Sequence, residues 1–206
     1  VLLTGVFFWG QIFNAYHFLP PGTRPPEQAT IQPKLPPIRR SDPVLGTNDR
    51  HILTIVEFAD FNCVYCRLSA PQLKAALAPV ASQVRFIWRD LPLSIDTVDG
   101  RLPATAGRCA LEQGKFWEMH DALFAAKTLD LDSLKQIGAQ LGLDRSRYET
   151  CLTSDKYAKS LQDDVTIARS HGVLSGPTIF IGKQVVSGYI STNEVLQLIQ
   201  SELANK

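Results

Sequence analysis

Two cysteines three positions apart, Cys63 and Cys66, follow closely on an apolar run from Ile52 to Phe58, and no other feature constrains the chain as tightly. The run has strand length and is almost continuously apolar, the pattern of a strand covered on both faces. The cysteines beyond it fit the opening turn of a helix. Thiols one helical turn apart can close a small disulfide ring, and the first of them meets the unpaired N–H groups and dipole of the helix start, which favour a thiolate. That combination points to redox chemistry. The same C-x-x-C spacing also forms half of some zinc sites. Here a second half is missing, since Cys109 and Cys151 stand far apart and no His-x-x-x-His pair exists. An inert disulfide is the third reading.

Further along, 83–89 (QVRFIWR) reads as a second strand, and 178–182 with 184–188 as a hairpin turning at Gly182 and Lys183. A helix carries Leu68, Leu73, Ala76, Leu77 and Val80, with Pro71 expected to kink it. Helical periodicity fills Ala104–Gln113, Phe116–Ala126, Leu131–Leu141, Ser146–Leu152 and Tyr157–Ser170, and returns at Ser191–Leu203. The order β, α, β, helical block, β, β, α predicts an α/β domain with a helical insertion at about 101–171. A chain of 206 residues, 45 % of them hydrophobic, can bury one such core with an appendage left over. The formal charge of +1 is spread without single-sign runs and gives no field for nucleic acid, so that class of partner is excluded. Four cysteines suit one C-x-x-C couple plus one structural disulfide, which persists in an oxidising compartment.

Residues 1–19 carry no charged side chain and approach the roughly 20 residues of a membrane-crossing helix. They predict a single-pass anchor in the cytoplasmic membrane, truncated at its start, with the catalytic domain extracytoplasmic, in the periplasm or at the cell exterior; a cleaved signal or remnant of a larger membrane domain, and a buried core helix, are the other readings. Eight prolines between Pro20 and Pro43 predict an extended spacer over 20–41, leaving 42–206 as the folded domain; a proline-rich ligand for a partner domain is the competing reading.

Several stretches then carry a likeness: DPVLG (42–46), TIVEFADFNCVYC (54–66), WRDLPL (88–93), GRCALEQGKFWEMHDALF (107–124) and SGPTIFIG (175–182). Together they resemble the DsbA-like thiol-disulfide oxidoreductases of the thioredoxin superfamily. The resemblance implies a thioredoxin-like fold with an inserted helical domain and no cofactor or metal. It implies Cys63 and Cys66 as the exchanging pair and a cis-Pro177 beside them. Val64, Tyr65, Gly176 and Thr178 would contact substrate, and Cys109 would pair with Cys151. Relatives commonly carry Thr or Val where this chain has Gly176. Glu57, the one ionisable residue in its strand, reads from sequence alone as a strand-end carboxylate. The resemblance implies instead a buried acid that relays the proton of the inner cysteine. His120 reads as packing or capping. Val64 and Tyr65 add no positive charge, so an intermediate oxidant is expected. The implied activity is disulfide formation in reduced, exported proteins, with reoxidation by a quinone-linked membrane partner of the DsbB or vitamin K epoxide reductase type. Reductase or isomerase activity, and a non-catalytic zinc-binding or chaperone-like module, are the alternatives.

Overall fold

The computed structural model describes residues 31, 33–47 and 52–205. Its centre is a five-stranded sheet in the order β1-β3-β2-β4-β5. The strands are β1 (Val44–Gly46), β2 (Leu53–Ala59), β3 (Val84–Asp90), β4 (Thr178–Ile181) and β5 (Gln184–Ser187). Only β2 and β3 run parallel, joined by the crossover helix α1 (Val64–Leu77). The pairs β1–β3, β2–β4 and β4–β5 are antiparallel.

Every residue of β2 is buried, as its unbroken apolar sequence predicts for a central strand. Alternation along the strand still sorts its side chains between two faces. Leu53 and Ile55 pack with Leu73, Ala76 and Leu77 of α1, and with Val195 and Ile199 of the last helix, α7 (Thr192–Ala204). Glu57 is in phase with them and so lies on the α1 side. Val56 and Phe58 face the other way, onto Leu161, Val165 and Ala168 of α6 (Ala158–Ser170).

Between β3 and β4 the chain makes the expected helical block. It comprises α2 (Val98–Leu111), α3 (Phe116–Ala125), α4 (Leu131–Gln140), α5 (Arg145–Leu152) and α6. Its own core gathers Phe61, Trp88, Phe116, Met119, Leu123 and Tyr148, which joins the insertion to the loop preceding the cysteines. The Cys109–Cys151 disulfide, S–S 1.96 Å, ties α2 to α5.

The final residues of the proline-rich stretch lie against the domain. Ile31 and Leu35 pack on its core, Pro36 is buried, and the Pro37 carbonyl accepts from Arg89. The expected membrane location is corrected here. Among the described residues no helix is long and apolar enough to cross a membrane. The longest, α1 and α2, have 14 residues each, about 21 Å at 1.5 Å per residue, against a hydrocarbon core of roughly 30 Å. Residues 1–19, on which the anchor expectation rested, and 20–30 of the expected spacer lie outside the described residues.

Candidate active site

The site forms where β2 hands the chain to α1. Cys63 is the N-cap of α1, in extended conformation (φ −79°, ψ 125°), and its Sγ accepts the Cys66 amide N–H at 3.3 Å. The helix thus aims one of its free N–H donors at this sulfur. The Cys63 thiol in turn donates to the Gly176 carbonyl at 3.3 Å. Both cysteines are free; Cys63 is half-buried and Cys66 fully buried. Burial pushes the Cys66 thiol well above its ordinary range, and its hydrogen bond to Cys63 acts in the same direction.

Asp60 shapes the approach to Cys63. Its carboxylate accepts from Asn62 N (2.9 Å) and from Leu93 N (3.0 Å) beyond β3, while its carbonyl accepts from Cys63 N (3.0 Å). Burial raises its pKa, and the two backbone donors work against that rise. Next in sequence, Phe61 stacks on Trp88 at 4.7 Å and meets Phe124 at 5.0 Å, which fixes the loop from below. Sequence reasoning passed over Asp60. The signal available was an acid between two aromatic residues immediately before the cysteines.

Opposite the thiols, the Gly176–Pro177 peptide bond is cis. A Cβ at residue 176 would stand 3.0 Å from Cys66 Sγ and 3.1 Å from Ala59 Cα, so glycine lets this loop close on the buried sulfur. Pro177 is itself buried, and its carbonyl accepts from Gly188 N at 2.8 Å. Thr178 is buried as well, and its hydroxyl donates to Ser175 O at 2.8 Å, holding the turn. Val64 and Tyr65, by contrast, are 62 % and 58 % exposed. Leu68, Leu93, Leu174 and Tyr189 are also exposed. Cys109 and Cys151 belong to the insertion, whose packed core also includes Cys66.

Behind Cys66, Glu57 sits between Trp88 of β3 and Ile179 of β4. It is 2 % exposed, makes no hydrogen bond from its side chain among the described residues, and is pushed up to about 8 by burial. Among the described residues, no cluster of three or more His, Cys, Asp or Glu is placed to hold a metal ion.

A dithiol at a helix N-terminus, faced by a cis-proline and backed by a buried carboxyl, on this sheet with this insertion, defines a thioredoxin-like domain of DsbA-like fold. The sequence profile of the family described as thioredoxin matches residues 40–201, and the chain belongs to that family. The antiporter NhaA 3 of Salinispora tropica, a Na(+)/H(+) antiporter by name, is 33 % identical over 165 residues, 80 % of this chain and 25 % of that protein. The chain therefore spans about a quarter of the length of the curated relatives it matches. Among solved structures, a thioredoxin-like oxidoreductase from Silicibacter pomeroyi superimposes with TM-score 0.72 and 22 % identity, over 81 % of this chain and 94 % of the other. Oxidised BdbD from Bacillus subtilis gives 0.70 and 20 %, over 82 % and 96 %. These two likenesses concern the fold.

Proposed function

We propose that the chain oxidises protein dithiols through Cys63 and Cys66. A substrate thiolate attacks Cys63 Sγ, the 63–66 bond breaks, and Cys66 leaves and takes up a proton. A second substrate thiolate then attacks the substrate sulfur of the mixed disulfide. The product disulfide departs, and the pair remains as a dithiol that has gained two electrons. The observation that carries this reading is the contrast between the two sulfurs: Cys63 is half-buried at the helix N-terminus, and Cys66 lies fully buried behind it. Only the first is within reach of an incoming polypeptide.

Exposed Val64, Tyr65, Leu174 and Tyr189 supply apolar contacts for an unfolded chain. Pro177 shapes the wall opposite the thiols, and Glu57 serves as proton acceptor and donor for Cys66. The oxidising direction is supported by the Cys109–Cys151 disulfide, a bond that persists in oxidising surroundings, and by the family resemblance. That resemblance also suggests a quinone-linked oxidase of the DsbB or vitamin K epoxide reductase type as electron acceptor. The antiporter name belongs to relatives of which this chain matches a quarter, and the thiol chemistry is the part assigned to this chain.

One experiment tests the reading. With Cys63 of Cys66→Ser first carried as its mixed disulfide with glutathione, a reduced, unfolded substrate should displace glutathione and remain trapped on Cys63, and equilibration of the parent with glutathione should give a potential between those of thioredoxin (about −270 mV) and the strongest oxidases (about −120 mV). Failure to trap substrate at Cys63 overturns the exchange chemistry. A potential as low as thioredoxin's overturns the oxidising direction.

A further inference from the structure

Glu57 opens on a cavity of about 170 Å³ lying between α1, α3 and the sheet, and the polar groups around that cavity make a series. Glu57 stands at its inner end, His120 on its α3 wall, and Lys74 and Asp121 complete the polar lining. Such a volume accommodates several water molecules, given polar groups to hold them. His120 is 6 % exposed and packed among Phe61, Trp88, Trp117 and Phe124. Its Nδ1 lies 3.0 Å from Asp121 Oδ1. Its Nε2 is buried and has no hydrogen-bond partner among the described residues.

We propose that His120 is a positioning residue for Glu57, exchanging protons with it through cavity water and so connecting buried Cys66 to bulk solvent. This rests on the exchange reading of Cys63 and Cys66. When Cys66 must attack Cys63, its thiol proton passes to the Glu57 carboxyl as that group hands its own proton to His120 Nε2, leaving an imidazolium beside Asp121. When Cys66 is the leaving group both transfers reverse, and no electrons move along the path. Two features fit His120 for this. Hydrogen bonding by His120, with help from Lys74, holds Asp121 at about 2, so Asp121 is a carboxylate and Nδ1 donates to it. In the neutral ring that leaves the lone pair on Nε2. In addition, Cys66 is raised by burial and lies too deep to exchange its proton with solvent directly. The titratable groups facing the cavity are Glu57 from β2, Lys74 from α1, and His120 and Asp121 from α3. The strands β1 and β3 contribute Leu45 and Phe86, which carry no charge.

The test follows the reduced, full chain reacting with oxidised glutathione, using acid quench and mass spectrometry to separate mixed-disulfide formation at Cys63 from its resolution by Cys66. His120→Gln should leave the first step and the equilibrium potential unchanged while slowing resolution about tenfold or more, within the usual reach of general acid–base catalysis. The pH profile of resolution should change with it. Should that variant not fold, Asp121→Asn at the surface removes the carboxylate beside Nδ1, and the same profile should shift. Unchanged resolution in His120→Gln, or an unshifted profile in Asp121→Asn, with Glu57→Gln slow, overturns this inference and leaves Glu57 its role. Absence of a Cys63 mixed disulfide overturns the exchange reading and this inference together.

Discussion

A carboxyl group at residue 57 opposes folding whenever it is ionised, because folding withdraws it from water without giving it a hydrogen-bond partner among the described residues. Its pKa rises from 4.5 to about 8. Between those values the native state holds a proton that the unfolded chain has released. Stability from this group is therefore complete below pH 4.5 and is lost as pH rises through about 8. At 1.36 kcal/mol per unit the loss is on the order of 5 kcal/mol. Glu57→Gln should remove this slope, so urea denaturation at pH 5 and pH 9 should show the variant gaining on the parent by several kcal/mol; parallel curves would contradict it. From sequence alone Glu57 read as a strand-end carboxylate, and its burial came only from the family resemblance, because one acid in an apolar strand does not show what covers it. The cysteines are legible, because their spacing is local. Asp60 and His120 were not, since what they do depends on partners far away in the chain: Leu93 N for Asp60, and for His120 the cavity it shares with Glu57.

Among the elements, α2 and α5 depend on one another through Cys109 and Cys151, which close a loop of 42 residues. In the chain-entropy account a loop of that size stabilises by about 4 kcal/mol. The double substitution Cys109→Ala, Cys151→Ala should lower the unfolding free energy by about 2–4 kcal/mol in urea melts and leave trapping at Cys63 intact. A loss of trapping would mean that the insertion, whose core includes Cys66, sets the geometry of the site. The helices from α3 onward follow their apolar periodicity to within about two residues, whereas α2 starts at Val98, six residues before its expected start at Ala104. Pro103, the residue before that expected start, lies inside the helix. The carbonyl it leaves unpaired belongs to Asp99, which is exposed and open to water. Thr97 caps the new start through Gly100 N at 3.0 Å. The strand β1 has three residues, too few to display an alternation, and its place beside β3 depends on pairing with residues 85–87.

At the scale of the whole molecule, the least legible feature is a buried cluster of charge. Arg39, Arg89 and Arg108 interleave with Asp42, Asp90 and Asp164, and Asp164 receives all three arginines. In the sequence these six are scattered and balanced, so charge patterning shows nothing. In space they bind the 37–42 segment to the end of β3, to α2 and to α6. The cluster also reaches toward the site: Asp90 accepts from Trp88 Nε1 at 2.7 Å, and just beyond it Leu91 N and Leu93 N hold Ala59 O and Asp60. Removing one charge from such a cluster leaves others buried without compensation, which destabilises by about 3–5 kcal/mol. Asp164→Asn should therefore lower the urea midpoint by that equivalent, and the amides of Leu91 and Leu93 should exchange hydrogen faster. Its neighbour in sequence supplies the control. Asp163 pairs with Lys159 one helical turn away on the exposed face of α6, where such pairs contribute about 0.3–0.5 kcal/mol. If Asp163→Asn and Asp164→Asn prove equally mild, the cluster is not what clamps the N-terminal segment to the domain, and the apolar contacts of Ile31 and Leu35 must do so instead.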